Sequence, residues 1–139
     1  MIFLTDSDFD NVIRSQILNQ ITDYTPAILD SIELTVIEEM QSYLKLRDYD
    51  VAAIFAATTT DRNPIIVMYA VDIVLYHIIS RLAPNKITDV RITRYETAMK
   101  WLKMVSSGEL IPNLPKVDPP ASLEGYTSRF GEIKRTNSY

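Results

Sequence analysis

The chain has 139 residues, which is the size of a single domain. Its hydrophobic content of 47% and charged content of 23% are typical of a globular protein. It has no cysteine and one histidine, which excludes disulfides, cysteine-ligated zinc and histidine metal clusters. Its three glycines form no phosphate-binding spacing. We therefore expect no metal, no cofactor and no catalytic residues.

The net charge of −4 is unevenly distributed along the chain. Residues 1–50 carry a net charge of −7, residues 51–108 carry +3, and residues 109–139 are neutral. One interpretation is that these charges lie on solvated helix faces. Another is that copies of the chain pack side by side, acidic face to basic face. The second interpretation predicts an acidic face of Glu33, Glu38 and Glu39 and a basic face of Arg91, Arg94, Lys100 and Lys103.

The first two predicted helices lie in the acidic part of the chain. The apolar spacing predicts one helix over about Asp8–Ile21, capped by Thr5 or Ser7. Thr25 and Pro26 then suit the N-cap and first position of a second helix that runs to about Leu46. The short apolar stretch Val51–Ala57 fits either one helical turn or a buried extended piece.

The segment Pro64–Leu82 is the most apolar part of the sequence. Asn63 is placed to cap it, and Pro64 fits the first helical position. A membrane span needs about 20 apolar residues with few charges, and here Asp72 interrupts the segment and Arg81 closes it. We therefore predict the central helix of a small bundle and no contact with a membrane.

The last predicted helix begins at Thr88 or Asp89 and ends before Gly108, since glycine suits the left-handed position after a helix. Four prolines follow within residues 109–139, and no helical period survives there. We predict an all-α bundle of about four helices over residues 1–108. Residues 109–139 are predicted to form an extended docking arm. The arm's anchors are Ile111, Leu114, Val117, Leu123, Tyr126, Phe130 and Ile133.

A few residues have side chains capable of catalysis or nucleic-acid binding. Asp72 and His77 are five apart on one helix, a poor spacing for a shared face, so we interpret them as structural. We interpret Asp48 and Asp50 as part of a loop that ends the preceding helix, although clustered carboxylates also serve in acid–base catalysis. Trp101 lies among lysines, which fits either a core aromatic or a basic, aromatic strip.

The order of the segments resembles a known family. The sequence has Glu39-x-x-Ser42-Tyr43-Leu44, then Arg47 and Tyr49-x-Val51, then Asp72-Ile73 within the apolar helix. The last helix contains Arg94-Tyr95-x-x-Ala98 and ends at Gly108. Over about residues 26–108 this resembles the small helical head–tail connector proteins of tailed bacteriophages, the family that includes the Mu-like neck protein. Asp48 departs from the pattern as an insertion between Arg47 and Tyr49.

The resemblance implies a structural role in the virion. Such proteins form a ring, commonly of twelve copies, below the portal protein. The ring extends and encloses the DNA channel without reading its sequence, and it joins the tail or further neck proteins. The protein would be synthesised in the host cytoplasm and would be located in the virion, at the head–tail junction. The alternatives are a non-enzymatic helical adaptor, a DNA-packaging accessory protein, and a hydrolase that uses Asp72, His77 or the Asp48 and Asp50 pair.

Overall fold

The computed structural model describes residues 1–22 and 26–119. Over these residues it confirms the predicted all-α class. The described helices are α1 (Asp6–Asp10), α2 (Ser15–Ile21), α3 (Pro26–Leu44), α4 (Val51–Ala56), α5 (Pro64–Leu82) and α6 (Asp89–Ser107). Short 3₁₀ turns at Lys45–Arg47, Thr59–Asp61 and Pro84–Lys86 connect some of them.

The apolar helix α5 is the centre of the bundle, as its sequence predicted. It packs against both α3 and α6, which also contact each other, while α1 and α2 cover another part of it. Its side chains from Ala70 to Leu75 are all buried. By length and composition α5 also resembles a membrane span, with half of its most apolar window buried in the protein. Burial by its neighbouring helices is what a core helix requires.

Three predicted helix ends are confirmed. The side chain of Asn63 accepts hydrogen bonds from the backbone N–H groups of Ile65 and Ile66 at 3.0 and 3.3 Å. Thr88 caps α6 in the same way. Gly108 follows α6 at a φ of +84°, a conformation that glycine adopts without strain. Thr25, the predicted cap of α3, lies outside the described residues.

The predicted continuous helix over Asp8–Ile21 is wrong, because the chain forms two helices there. Arg14 leaves the helical conformation, with a φ of −65° and a ψ of 134°. The Val12 carbonyl accepts a hydrogen bond from Arg91 at 3.4 Å. Both helices still turn apolar residues inward, since Phe9 and Leu18 are buried. An apolar stripe therefore does not reveal the break, because both pieces face the same core.

The segment between α3 and α4 is held by its polar residues. Asp48 adopts the left-handed conformation at a φ of +59°, so the residue that departs from the family pattern makes the turn. Asp50 caps α4 by accepting the Ala53 N–H at 3.0 Å, which supports its structural interpretation. Residues 51–56 are helical, and this resolves the alternative left open by the sequence. Arg47 donates to the carbonyls of Ser106 and Ser107 at the end of α6.

The predicted domain boundary at residue 108 is too early. The Asp50 N–H donates to the Pro115 carbonyl at 2.9 Å, and the Val117 N–H donates to the Asp48 carbonyl at 2.8 Å. These bonds flank an antiparallel bridge between Tyr49 and Lys116. Leu110 and Leu114 pack against the core. The helical domain therefore extends through residue 117, because residues 110–117 pair with Tyr49 and pack on the core.

We expect the position of a C-terminal truncation to decide whether the domain keeps its stability. A chain that ends after residue 119 should melt like the full chain, because it keeps the Tyr49 bridge. A chain that ends after residue 109 should lose about 2–3 kcal/mol of unfolding free energy, since it leaves out two partly buried leucines. Urea denaturation followed by circular dichroism measures both. Equal stability of the two truncations would contradict the role given to residues 110–117.

Candidate functional site

The prediction that Glu33 lies on an exposed acidic face is wrong. Its side chain is buried, and the residue is only 1% exposed. Its carboxylate accepts the backbone N–H groups of Ile2, Phe3 and Leu4 at distances of 2.7, 2.9 and 2.6 Å. A buried carboxylate needs such partners in place of water. Glu33 therefore holds the N-terminal segment on the bundle and contributes no charge to the surface.

The two other predicted acidic residues lie nearer to the surface. Glu38 is exposed, and Glu39 is half-buried, with its Oε2 3.9 Å from His77 Nε2. Tyr95 stacks on Tyr76 beside them, with ring centroids 3.9 Å apart. Burial raises the pKa of the Tyr95 hydroxyl, and the negative charge of Glu39 raises it further. The acidic face thus retains one fully exposed carboxylate of the three predicted.

The predicted basic face divides into inward and outward residues. Arg94 Nε donates to the buried Asp72 carboxylate at 2.8 Å. Arg91 is part-buried and donates to the Val12 carbonyl, and its Nη1 has no hydrogen-bond partner among the described residues. Burial lowers the pKa of the Arg91 guanidinium, and the nearby charge of Arg94 lowers it further. The guanidinium groups of Arg91 and Arg94 therefore make contacts within the chain and are only partly available to another protein.

Lys100 and Lys103 remain exposed on α6, so their role in an interface stays a prediction. Trp101 between them is buried and lies against Tyr69, with ring centroids 5.1 Å apart. This supports the interpretation of Trp101 as a core aromatic. Stacking of a nucleic-acid base needs an exposed ring, and a buried Trp101 does not offer one.

A second ion pair, between two part-buried side chains, fastens the N-terminal helix to the loop before α5. The Arg62 guanidinium donates to both Asp8 carboxylate oxygens at 2.6 and 3.1 Å. Arg62 also donates to the carbonyls of Phe3 and Thr59. Burial alone raises the pKa of the Asp8 carboxyl, but hydrogen bonds from Arg62 and Thr5 outweigh it and hold that pKa below its ordinary value of 3.8.

We expect the Asp8 pair to make stability depend on acid pH. A carboxyl with a lowered folded-state pKa stabilises the fold above its unfolded pKa, and this contribution is lost as the pH falls through the folded value. Asp8→Asn should therefore lower the unfolding free energy by about 2 kcal/mol at neutral pH. The difference from wild type should shrink below a pH of about 4. Urea denaturation across pH measures it, and a difference that is constant with pH would contradict this assignment.

The candidate acid–base residues are not brought together. Asp72 pairs with Arg94, whereas His77 lies beside Glu39 and the Tyr95 ring. Asp50 is a helix cap. Among residues 1–22 and 26–119, no group of three acidic or histidine side chains is arranged to hold a metal ion. The buried and part-buried polar groups Asp8, Glu33, Arg62 and Asp72 fasten segments of the chain to one another.

The predicted docking residues have different environments. Ile111 and Val117 are exposed, at 79% and 58%. Leu114 packs on the chain's own core, so its prediction as a free anchor is wrong: the bridge at Tyr49 brings this segment back to the domain. Four further predicted anchors lie outside the described residues: Leu123, Tyr126, Phe130 and Ile133.

Comparison with known protein families gives a match over most of the sequence. The family described as bacteriophage Mu, Gp36 matches residues 3–128, which extends in both directions beyond the region of the resemblance noted from the sequence. Searches of curated proteins and of solved structures find no match. The family supports a phage structural or morphogenesis protein. Because the match spans most of the sequence, the chain belongs to the bacteriophage Mu Gp36 family.

Proposed function

We propose that this protein is a head–tail connector, a non-enzymatic component of the virion that forms a ring below the portal protein. The ring, of about twelve copies by family resemblance, would extend the DNA channel and join the tail or further neck proteins. The observation that carries the proposal is the family match over residues 3–128. The sequence resemblance to helical connectors supplies the particular role.

The pairing of charged side chains within the chain supports a structural protein. Asp8, Glu33 and Asp72 each bind a partner within the chain. These contacts give the fold a fixed shape, which a repeating assembly needs because each copy must present the same surfaces to the next. The exposed charges that remain are available for contacts between proteins.

The C-terminal part of the chain gives the proposal a second contact. Residues 110–117 lie on the bundle, so the docking role passes to the residues after them, with Leu123, Tyr126 and Phe130 as candidate anchors. Apolar anchors on an extended segment bind pockets or sheet edges of a partner. The proposed partners of this segment are the portal protein and an adjacent connector protein.

Electron microscopy of the purified chain, alone and mixed with the portal protein of the same phage, tests the proposal. We expect ring-shaped particles in at least one sample, coaxial with the portal in the mixture. Native mass spectrometry gives the copy number. A chain that stays monomeric in both samples would contradict the connector role, and so would a turnover reaction lost in Asp72→Asn at unchanged stability.

A further inference from the structure

Helix α2 (Ser15–Ile21) separates two clefts of opposite charge. Leu18 and Asn19 line one cleft, whereas Ile17 and Gln20 line the other. Successive helical residues are rotated by about 100°, and residues three or four apart share a face. The two sets of residues therefore lie on nearly opposite sides of the helix. One short helix thus contributes to two surfaces that face in different directions.

The first surface, here called the basic groove, has a volume of about 580 Å³ and is lined in part by Arg14, Lys86 and Arg91. Among residues 1–22 and 26–119, none that lines the groove is acidic. Ile17 and Leu82 lie in the same groove and remain 45% and 39% exposed. The groove therefore combines positive charge with exposed apolar surface, which is typical of a protein-binding site.

The Arg91 guanidinium in this groove lacks a full set of partners. Its hydrogen bond to the Val12 carbonyl is long, at 3.4 Å, and its Nη1 makes no hydrogen bond to the described residues. Because this Nη1 is itself buried, an occupant of the groove does not reach it, and Arg91 contributes through its positive charge together with Arg14 and Lys86. The occupant that suits this groove is therefore acidic and carries some apolar surface.

The second surface, here called the acidic cleft, has a volume of about 510 Å³. Asp6, Asp10 and Asp30 line it, and no lysine or arginine does within the part of the chain that the structure describes. Asp30 is paired with the Met1 amino group, but Asp6 and Asp10 are exposed. Met1 and the adjacent Ile2 are also exposed. The acidic cleft thus has the negative charge that complements the basic groove, and exposed apolar surface lies in and beside it.

We propose that the basic groove of one copy binds the acidic cleft of a second copy. This inference rests on the proposed function, since it assigns the contact between neighbouring connectors to the surfaces on either side of α2. Two different patches on nearly opposite sides of one chain make a head-to-tail contact, which closes into a ring when the rotation between copies permits. The complementary charges fix the orientation of each copy.

Two charge-reversed variants of the full chain test this contact. The groove variant carries Arg14→Glu and Lys86→Glu, and the cleft variant carries Asp6→Lys and Asp10→Lys. Each should associate with itself at least tenfold more weakly than wild type in sedimentation velocity. A control variant with Lys45→Glu and Arg81→Glu makes the same charge change as the groove variant at exposed positions that line neither surface, and we expect it to assemble like wild type.

Mixing the two variants separates a specific contact from a general effect of charge. In the mixture, the intact cleft of one variant meets the intact groove of the other, and the two reversed surfaces are also complementary. Assembly should therefore return in an equimolar mixture, with both chains alternating in native mass spectra. A mixture that stays dissociated would overturn the proposal, and so would equal loss of assembly in the control variant.

The remaining outcomes also decide the question. Variants that melt below wild type are replaced by the milder Lys86→Gln and Asp10→Asn, which should each weaken association and lower its salt dependence, because less charge attraction is left for salt to screen. Unchanged association in every groove and cleft variant would overturn this contact while leaving the connector role intact. Wild-type chains that remain monomeric alone but form a ring on the portal would also overturn this contact and leave the connector role intact. Failure to form rings in both samples would overturn the connector role as well.

Discussion

Glu33→Ala is expected to destabilise the protein by about 3–5 kcal/mol. The Glu33 carboxylate accepts three backbone N–H groups of the N-terminal segment, and hydrogen bonds to a charged group contribute about 1.5–3 kcal/mol each. Their contributions do not add fully, because the segment can move to water once it is released. Guanidinium unfolding followed by circular dichroism measures the change. Part of the loss should come from Phe3, which packs on Phe55 with ring centroids 5.1 Å apart.

Glu38→Ala is the matched control, since it removes the same side chain from an exposed position of the same helix. Its effect should stay within about 0.5 kcal/mol. Glu33→Gln should lie between the two variants, because the amide keeps one acceptor oxygen but turns a donor group toward backbone donors. Equal stabilities of Glu33→Ala and Glu38→Ala would contradict the anchoring role of Glu33.

The Asp72–Arg94 pair should respond unequally to removal of its two members. Asp72 is 3% exposed, whereas the Arg94 side chain is 40% exposed. Arg94→Leu leaves a buried carboxylate without its ionic partner and should cost about 3 kcal/mol or more. Asp72→Asn leaves a guanidinium that can turn to water and should cost about 1–2 kcal/mol. Thermal and urea unfolding of both variants measure this difference.

A double variant tests whether the pair itself causes the asymmetry. Combining Arg94→Leu with Asp72→Asn should recover part of the stability lost in Arg94→Leu, because no charge is then left buried. Thr97→Ala, at an exposed position on the same helix, is the control for changes to α6. Strictly additive losses in the double variant would show that the two side chains do not act as a pair.

The sequence predicted the helices better than the polar contacts between them. Asn63, Thr88 and Gly108 mark helix ends through local hydrogen bonds and local backbone conformation, so their neighbours in sequence suffice to recognise them. Glu33 and Arg62 bind partners far along the chain. In the sequence, Glu33 resembles any other acidic residue of an amphipathic helix. Only the packing of the N-terminal segment shows that its carboxylate is buried.

The surfaces proposed for assembly were also predicted only in part from the sequence. The sequence shows that residues 1–50 are acidic and residues 51–108 are basic, and this difference predicts charge complementarity between copies. Their placement was not visible, because Arg94 turns toward Asp72 and α1 and α2 are separate helices. The break at Arg14 separates α2 from α1, and no periodic pattern in the sequence marks that break.

The bridge between Tyr49 and Lys116 has a consequence for synthesis on the ribosome. Chains emerge from their N-terminus and domains fold as units, so the Asp48 carbonyl and the Asp50 N–H lack their native partners until residues 115–117 have left the exit tunnel. Helices α3, α5 and α6 are complete before that point. We expect native protection of the Tyr49 segment in nascent chains to appear last, and premature termination before residue 115 to yield chains that proteases cut near α4.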